Sequence, residues 1–219
     1  MKLFARTALV LAAAIALASC SGGSDDAFVN EYEDLNGVEN ANGAEHMAMD
    51  IPDDHRFVYA SEEELRELLT DGNGAIYFGF PECPWCRNAV PAMDEAAKTM
   101  NLDEIHYLNV YDIRDQKSLD ENGEIVVDEE GTDFYYYLLE ELGDHAPEYG
   151  SLDDPSERRI SVPLVVAVVN GNVVANHLGT VESQTDPSVP MTDDQHQELV
   201  NAYMSMFAGI PGCGIDICE

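Results

Sequence analysis

The spacing of apolar residues divides the chain between residues 57 and 208 into short strands and amphipathic helices. Continuous apolar runs are typical of buried strands, and apolar residues three and four apart are typical of one helix face. The helices are also marked by cap residues, as Ser61 shows with Glu64 three positions later. The pattern predicts strands at 57–59, 75–80, 105–111, 125–127, 163–169 and 172–176, and helices after Ser61 and over 86–101, 132–142 and 192–208.

The start of the chain has the organisation of an export signal. Basic residues precede an apolar segment at 8–18 that is too short to span a membrane. Residues 17–20, Leu-Ala-Ser-Cys, resemble the lipobox of bacterial lipoproteins. That resemblance implies cleavage before Cys20 and lipid attachment to this cysteine; an ordinary secretory signal with a chance cysteine is the alternative. We therefore expect residues 1–19 to be a lipoprotein signal peptide, with the mature chain lipid-anchored to the cell membrane at its extracytoplasmic face.

The remaining chain divides by composition into three parts. Residues 20–50 are rich in Ser, Gly, Asn, Asp and Glu with little apolar periodicity, which predicts a flexible acidic tether. The periodic stretch that follows predicts one domain at 51–209. Residues 210–219 form a glycine-rich C-terminal tail that contains two cysteines.

The charge of the chain excludes one class of partner. Acidic residues outnumber basic ones 43 to 10, and the formal net charge is −33. Such a chain repels other polyanions, so we expect no nucleic acid partner. A solubilising surface is the simpler interpretation of this charge, and a docking face for a basic partner is the alternative.

The residues with the clearest chemistry are Cys83-Pro84-Trp85-Cys86, which follow the apolar run at 75–80 and open a helical pattern. A helix N-terminus directs backbone N–H groups and a partial positive charge at the first sulfur, which stabilises its thiolate. The second cysteine lies one turn further on and can close a disulfide with the first. A Cys-x-x-Cys between a strand and a helix is typical of a redox-active dithiol.

Further features resemble the thioredoxin-like superfamily. Pro91 lies five positions after the second cysteine, where the family carries a helix-kinking proline, and Val162-Pro163 before an apolar run resembles its cis-proline strand. Residues 78–87 are also similar to those of thioredoxin-like lipoproteins and bacteriocin-transport accessory proteins of Gram-positive bacteria. The resemblance implies an α/β, thioredoxin-like fold with a central mixed sheet flanked by helices, in which the acidic residues 112–160 are an insertion before the cis-proline strand.

The resemblance also implies a role for each residue of the site. Cys83 exchanges with a substrate thiol or disulfide, and Cys86 resolves the mixed disulfide that forms. Pro163, in a cis peptide bond, exposes neighbouring backbone groups to the substrate beside Cys83. The residues expected to contact the substrate are Pro84, Trp85 and Val162. The implied partners are protein or peptide thiols and disulfides and a redox partner protein, with no cofactor.

One position departs from the family pattern. Thioredoxins carry a buried aspartate six positions before the first cysteine, and this chain has Tyr77 there. The acid that takes the proton from the resolving thiol is therefore missing or comes from elsewhere in the chain. Glu82 is the nearest carboxylate to the motif in sequence.

The two cysteines of the tail, Cys213 and Cys218, are expected to form a structural disulfide, because an exported chain favours disulfides. A relay of electrons to Cys83 is the alternative role for this pair. A metal site built from both cysteine pairs fits less well, because the spacings are uneven and no ligand histidine lies near either pair. We therefore expect no metal.

The sequence predicts a membrane-anchored extracytoplasmic thiol-disulfide oxidoreductase, with the direction of electron flow open. The alternative is a redox-inert thioredoxin-like binding or accessory lipoprotein, for example in peptide export. A permanent disulfide that only joins the strand to the helix is a further alternative, but so small a ring stabilises a fold little.

The lipid anchor has a direct test in the Cys20→Ala variant. We expect the wild-type protein in the membrane fraction and the variant in the soluble fraction, because the variant lacks the sulfur that carries the lipid. Cell fractionation and immunoblotting measure this distribution, with Cys213→Ala as the control for loss of a cysteine. The same distribution for Cys20→Ala and wild type would contradict the anchor.

Overall fold

All six residues of Gly74–Gly79 are buried, and this run forms the central strand of a five-stranded sheet. The structure, a computed structural model, describes residues 25–214. Its strands are β1 (Phe57–Tyr59), β2 (Gly74–Gly79), β3 (Ile105–Asn109), β4 (Gln116–Leu119), β5 (Ile125–Glu129), β6 (Leu164–Val169) and β7 (Asn172–Leu178). Its helices are α1 (Asp25–Glu33), α2 (Glu62–Asp71), α3 (Pro84–Thr99), α4 (Asp133–Leu142) and α5 (Asp193–Phe207), with a short 3-10 helix at Gly143–His145.

The large sheet is mixed, with the strand order β1-β3-β2-β6-β7. Strands β1 and β2 run parallel to β3, β6 runs antiparallel to β2, and β7 forms a hairpin with β6. The prediction of an α/β chain with a central mixed sheet flanked by helices is confirmed. The Asn170-Gly171 turn joins β6 to β7, and both residues have positive φ, as a tight hairpin requires.

Side chains alternate along β2 and so divide the core into two layers. Ala75 and Tyr77 face one layer, which also contains apolar residues of α1, α3 and α5. Ile76 and Phe78 face the other layer, which is filled by α2 and α4. Both faces of the sheet are therefore covered, which explains why the strand lacks a polar position.

The segment at 112–160 contains both a surface hairpin and part of the core. Strands β4 and β5 pair with each other in a separate two-stranded sheet. Helix α4 follows the N-cap Thr132, whose hydroxyl accepts a hydrogen bond from the Tyr135 amide at 3.1 Å. Four of its side chains are buried: Phe134, Tyr135, Leu138 and Leu142. The acidic segment is thus integrated into the domain through α4 and through buried residues that follow it, such as Ala146 and Ile160.

The expectation of a flexible tether at 20–50 is wrong for its described part. Residues 25–33 form α1, and Phe28 and Tyr32 are completely buried. The Phe28 ring stacks on Phe57 with ring centroids 4.4 Å apart and meets the edge of Tyr107 at 4.8 Å. The acidic composition of the segment hid this helix from the sequence pattern. Two buried aromatic residues at helical spacing stabilise it, because they pack against the sheet, and most helical stability in proteins comes from such tertiary packing.

A buried arginine joins this N-terminal segment to α3. Arg87, the residue after the second cysteine, has no solvent exposure. Its guanidinium donates to the backbone carbonyls of Met47 at 2.6 Å, Tyr32 at 2.8 Å and Pro81 at 3.2 Å, and to Asn36 Oδ1 at 2.9 Å. A buried charge is tolerated only when such partners replace its water. The segment from α1 to residue 50 is therefore part of the domain.

The signal peptide at 1–19, the lipid attachment at Cys20 and the second tail cysteine, Cys218, lie outside the described residues. These assignments stay predictions. Among residues 25–214, no helix combines the length and the apolar character needed to cross a membrane.

The packing of α1 predicts the effect of Phe28→Ala. We expect the free energy of unfolding to fall by about 3 to 5 kcal/mol, because a completely buried aromatic side chain is removed from the core. Denaturant unfolding followed by circular dichroism measures this change. The matched control is Val38→Ala in the same segment, since Val38 is 43% exposed and its loss should change stability little. A Phe28→Ala variant as stable as wild type would contradict the packing of α1 against the sheet and favour a flexible tether.

Candidate active site

The cysteine motif forms the first turn of α3. Cys83 is the N-cap of the helix, in extended backbone conformation, and Pro84 occupies the first helical position. Proline is suited to this position because its missing N–H has no partner in the first turn. The Cys83 sulfur accepts a hydrogen bond from the Cys86 amide at 3.3 Å. The sulfur thus takes the place that a hydroxyl or carboxylate fills in an ordinary N-cap.

This geometry makes Cys83 the more acidic thiol. The hydrogen bond from the Cys86 thiol is the largest cause that lowers the pKa of Cys83, and the backbone amides of Cys86 and Trp85 lower it further. Burial acts in the opposite direction, and the positive charge of Arg114 supports the thiolate. A thiolate is the nucleophile in thiol-disulfide exchange, so Cys83 is the residue that reacts first.

Cys86 has the opposite character. Its side chain has no solvent exposure, and this burial raises the pKa of Cys86 well above the usual thiol range. The hydrogen bond to Cys83 and the charge of Cys83 raise it further, whereas the Tyr77 hydroxyl lowers it. Two neighbouring thiols with opposite pKa shifts have distinct tasks, because one ionises readily and the other keeps its proton.

The segment before β6 lies directly beside the first thiol. The Val162–Pro163 peptide bond is cis, and the Val162 carbonyl oxygen is 3.9 Å from the Cys83 sulfur, although the two residues are 79 positions apart. The fold therefore brings Cys83, Cys86 and the loop at 162–163 together. The resemblance implied this arrangement; the spacing of the residues alone did not.

An open groove continues from this loop. Its volume is about 510 Å³, which lies in the range of sites for small ligands and side chains. Trp85 is half-buried at its edge, and Pro84 is exposed beside the motif. The groove is lined by Trp85, Ser161, Val162, Leu178, Gly179, Thr180, Val181, Glu182 and Gln184. Of the three expected contact residues, Trp85 and Val162 thus line the groove, and Pro84 is accessible next to it.

Tyr77 occupies the position of the aspartate that the family pattern carries. It is completely buried, and its hydroxyl forms a 2.7 Å hydrogen bond with the Tyr32 hydroxyl. Glu82, the nearest carboxylate in sequence, is exposed at the surface, whereas Cys86 is fully buried. Position 77 therefore holds a neutral, buried hydroxyl in place of a carboxylate.

Arg114 is a part of the site that sequence reasoning missed. It comes from the acidic segment, and its guanidinium lies over the Phe80 ring, 4.9 Å from the centroid. Its pKa is lowered by burial, and its charge acts on both thiols. No motif marks this residue, because only the folding of 112–160 brings it near the cysteines.

Cys213 lies at the opposite end of α3 from the dithiol. The amide of the next residue, Gly214, donates to the Met100 carbonyl at the C-terminus of α3 at 2.9 Å. The 16 residues of this helix place its two ends roughly 24 Å apart. In this arrangement Cys213 is therefore too far from Cys83 for the two sulfurs to exchange directly, and the relay stays an untested alternative. The disulfide with Cys218 stays a prediction, because Cys218 is outside the described residues.

No protein-family model matches the chain, and no curated protein matches it in sequence. Within the described part of the chain, no three His, Cys, Asp or Glu side chains converge in a way that holds a metal ion. The two thiols of the site differ in acidity, since the pKa of Cys83 is lowered and that of Cys86 is raised.

That unequal acidity predicts selective alkylation of the fully reduced protein. Because the pKa of Cys83 is lowered, its thiolate fraction rises at a lower pH than that of a free thiol, which titrates near pH ~8.5. Cys213 is the internal control, because burial raises its pKa. Iodoacetamide labelling across a pH series, followed by peptide mass spectrometry, should show Cys83 modified first. Labelling of Cys213 before Cys83 would show that the helix N-terminus does not activate the thiol.

Proposed function

We propose that the protein is a thioredoxin-like thiol-disulfide oxidoreductase, held at the extracytoplasmic face of the membrane through Cys20. The observation that supports this most directly is the pair of thiols at the start of α3. Cys83 has a lowered pKa at the helix N-terminus, and Cys86 behind it is buried with a raised pKa. The mixed sheet, the dithiol between β2 and α3 and the cis-proline loop beside it are all compatible with a thioredoxin-like fold.

The reaction needs only the two sulfurs. The Cys83 thiolate attacks one sulfur of a substrate disulfide, the substrate S–S bond breaks, and one substrate thiolate leaves. Cys86 then loses its proton and attacks the Cys83 sulfur. The Cys83–Cys86 disulfide forms, the bond to the substrate breaks, and two electrons have passed to the substrate. The same steps in reverse oxidise a substrate dithiol, so the reduction potential of the pair sets the direction.

The surroundings of Cys83 favour an extended peptide as substrate. The Val162 carbonyl lies beside the reactive sulfur and offers a backbone acceptor, and Trp85 offers an apolar surface at the edge of the groove. A peptide that crosses this point can pair its backbone with the loop and place an apolar side chain against Trp85. Recognition of that kind depends mainly on the peptide backbone and little on the side-chain sequence of the substrate.

Insulin reduction and oxidative refolding of a disulfide protein test this function. We expect Cys83→Ser to lose activity in both assays, because it removes the attacking sulfur. Cys86→Ser should instead accumulate mixed disulfides, because the first step remains and the resolving step is gone. The control is Cys213→Ser, which removes a thiol at the far end of α3 and should keep wild-type activity. Equal activity of Cys83→Ser and wild type would refute the function and favour the redox-inert alternative.

A further inference from the structure

Two arginines of the acidic segment share one surface pocket. Its volume is about 290 Å³, just below the range of sites for drug-sized ligands, so it suits a single side chain. Arg114 and Arg159 both line it, although they lie far apart in the sequence, and so does Tyr111, which is 55% exposed. A pocket with two cations is unexpected in a chain with 43 acidic and 10 basic residues.

Both guanidiniums are held by aromatic rings rather than by carboxylates. Arg114 lies over the Phe80 ring, 4.9 Å from its centroid, and Arg159 lies over the Tyr149 ring at 4.8 Å. The Nε atoms of both arginines are buried without a hydrogen-bond partner. Among residues 25–214, no carboxylate forms an ion pair with either arginine. The two charges are therefore not neutralised by the described part of the chain.

The carboxylates that line the pocket leave this charge in place. Glu129 Oε2 accepts a hydrogen bond from the Gln116 amide at 2.8 Å, and both Glu129 and Asp112 are exposed, so water screens them. Burial lowers the pKa of Arg114, and the neighbouring charge of Arg159 lowers it further. An anion between the two guanidiniums would remove this repulsion, and a carboxylate matches the fork of their donors.

Phe80 connects the pocket to the first thiol. Its carbonyl accepts a hydrogen bond from the Cys83 amide at 3.3 Å. Its ring carries the Arg114 guanidinium and meets the edge of the Tyr111 ring, with centroids 5.1 Å apart. One residue at the end of β2 thus contacts the reactive cysteine and two residues of the pocket.

The loop at 159–163 connects the pocket to the groove beside Cys83. Arg159 lines the pocket, whereas Ser161 and Val162 line the groove. The Ser161 amide donates to the Arg159 carbonyl at 2.9 Å, and the Val162 carbonyl oxygen is 3.9 Å from the Cys83 sulfur. Three residues of chain span at most about 11 Å, so an extended peptide that crosses Cys83 reaches the pocket within about three residues.

We propose that Arg114 and Arg159 form a carboxylate subsite of the active site, so that the protein acts preferentially on peptides with an acidic side chain about three residues from the reacting cysteine. This inference rests on the proposed function and names the substrate class of the same site. The substrate carboxylate accepts hydrogen bonds from the two guanidiniums while the substrate cysteine exchanges with Cys83. The arginines bind the substrate and take no part in the exchange of sulfurs.

This preference runs against the overall charge of the chain. A net charge of −33 repels an acidic peptide at long range, so nonspecific electrostatics favours basic peptides. At an ionic strength of ~0.15 M, forces between exposed charges are largely screened beyond about 8 Å, whereas a carboxylate in contact with a guanidinium is screened much less. A preference for acidic peptides at this ionic strength therefore reports on a local site.

The first test compares disulfide-linked peptide dimers that differ at one position. Each peptide contains one cysteine and has Glu, Gln or Lys three residues before it in one set and three residues after it in a second set. We expect the fully reduced protein to reduce the Glu peptide about tenfold faster than the Gln peptide in one set, because hydrogen bonds to charged groups are among the stronger ones. Second-order rate constants are measured by fluorescence dequenching and divided by those with dithiothreitol, which corrects for intrinsic reactivity.

Arg159→Gln is the informative variant, because Arg114 also supports the Cys83 thiolate and its loss would change the chemistry as well as binding. The matched control is Arg158→Gln, since Arg158 is adjacent in the chain, pairs with Asp144 at 3.3 Å and does not line the pocket. We expect Arg159→Gln to lose the preference for Glu over Gln and Arg158→Gln to keep it. Arg159→Glu should prefer the Lys peptide, which a merely structural loss does not produce.

The second test measures binding without exchange. In the Cys83→Ser variant, labelled peptides with serine in place of cysteine can bind but cannot react. We expect a lower Kd for the Glu peptide than for the Gln peptide, measured by fluorescence anisotropy, and no difference when Arg159→Gln is added. Equal affinities in Cys83→Ser would overturn the subsite.

Each failure has a separate meaning. If the wild-type protein reduces no peptide, the proposed function is wrong, and the binding measurement alone decides the subsite. If it reduces the Glu and Gln peptides equally fast in both sets, the subsite is wrong and the function stands. If Arg158→Gln loses the preference as fully as Arg159→Gln, the preference follows the overall charge and the pocket is overturned. Denaturant unfolding of each variant shows whether the fold is retained.

Discussion

The hydrogen bonds that enclose the buried Arg87 guanidinium are the interaction on which the arrangement of the N-terminal segment and the dithiol depends. The charge of Arg87 sits inside the protein, and four oxygens from the N-terminal segment and the loop before α3 replace its water. Removal of these acceptors would leave an uncompensated buried charge, which is costly. Because Arg87 follows Cys86 directly, this requirement ties the segment from α1 to residue 50 to the start of α3. The redox centre and the N-terminal segment are therefore one structural unit.

The two thiols differ in acidity because they occupy different positions at the N-terminus of α3. Cys83 caps the helix and receives its unpaired amides, so its anion is stabilised. Cys86 lies one turn inside, where burial opposes ionisation. Exchange chemistry needs this difference, since the first thiol must be reactive at rest and the second only after a mixed disulfide has formed. The hydrogen bond between the two thiols, the amides of the first helical turn and the burial of Cys86 produce it together.

The electrostatics of the site run opposite to those of the surface. The chain has a net charge of −33, yet burial, the neighbouring Cys83 and the Tyr77 hydroxyl are the main influences on the pKa of Cys86, and the nearby charge of Arg114 is positive. A buried carboxylate would need its own compensation, whereas a tyrosine hydroxyl can donate to a thiolate without carrying charge. The buried Tyr77 hydroxyl on β2 pairs with the Tyr32 hydroxyl on α1, so a hydrogen bond between neutral groups joins the central strand to the N-terminal helix.

The sequence by itself determined the dithiol at the start of a helix, the cap at Ser61, and the order of strands and helices after residue 57 apart from β4, because these depend on local patterns of backbone hydrogen bonding and apolar spacing. The exposed strand β4 has no apolar alternation that would have predicted it. Tertiary structure alone decided the packing of residues 25–50, the approach of Arg114 to the thiols and the pairing of Tyr32 with Tyr77 across 45 positions. Such contacts join residues far apart in the chain. Their energy depends on burial in the folded protein, which cannot be read from a local stretch of sequence.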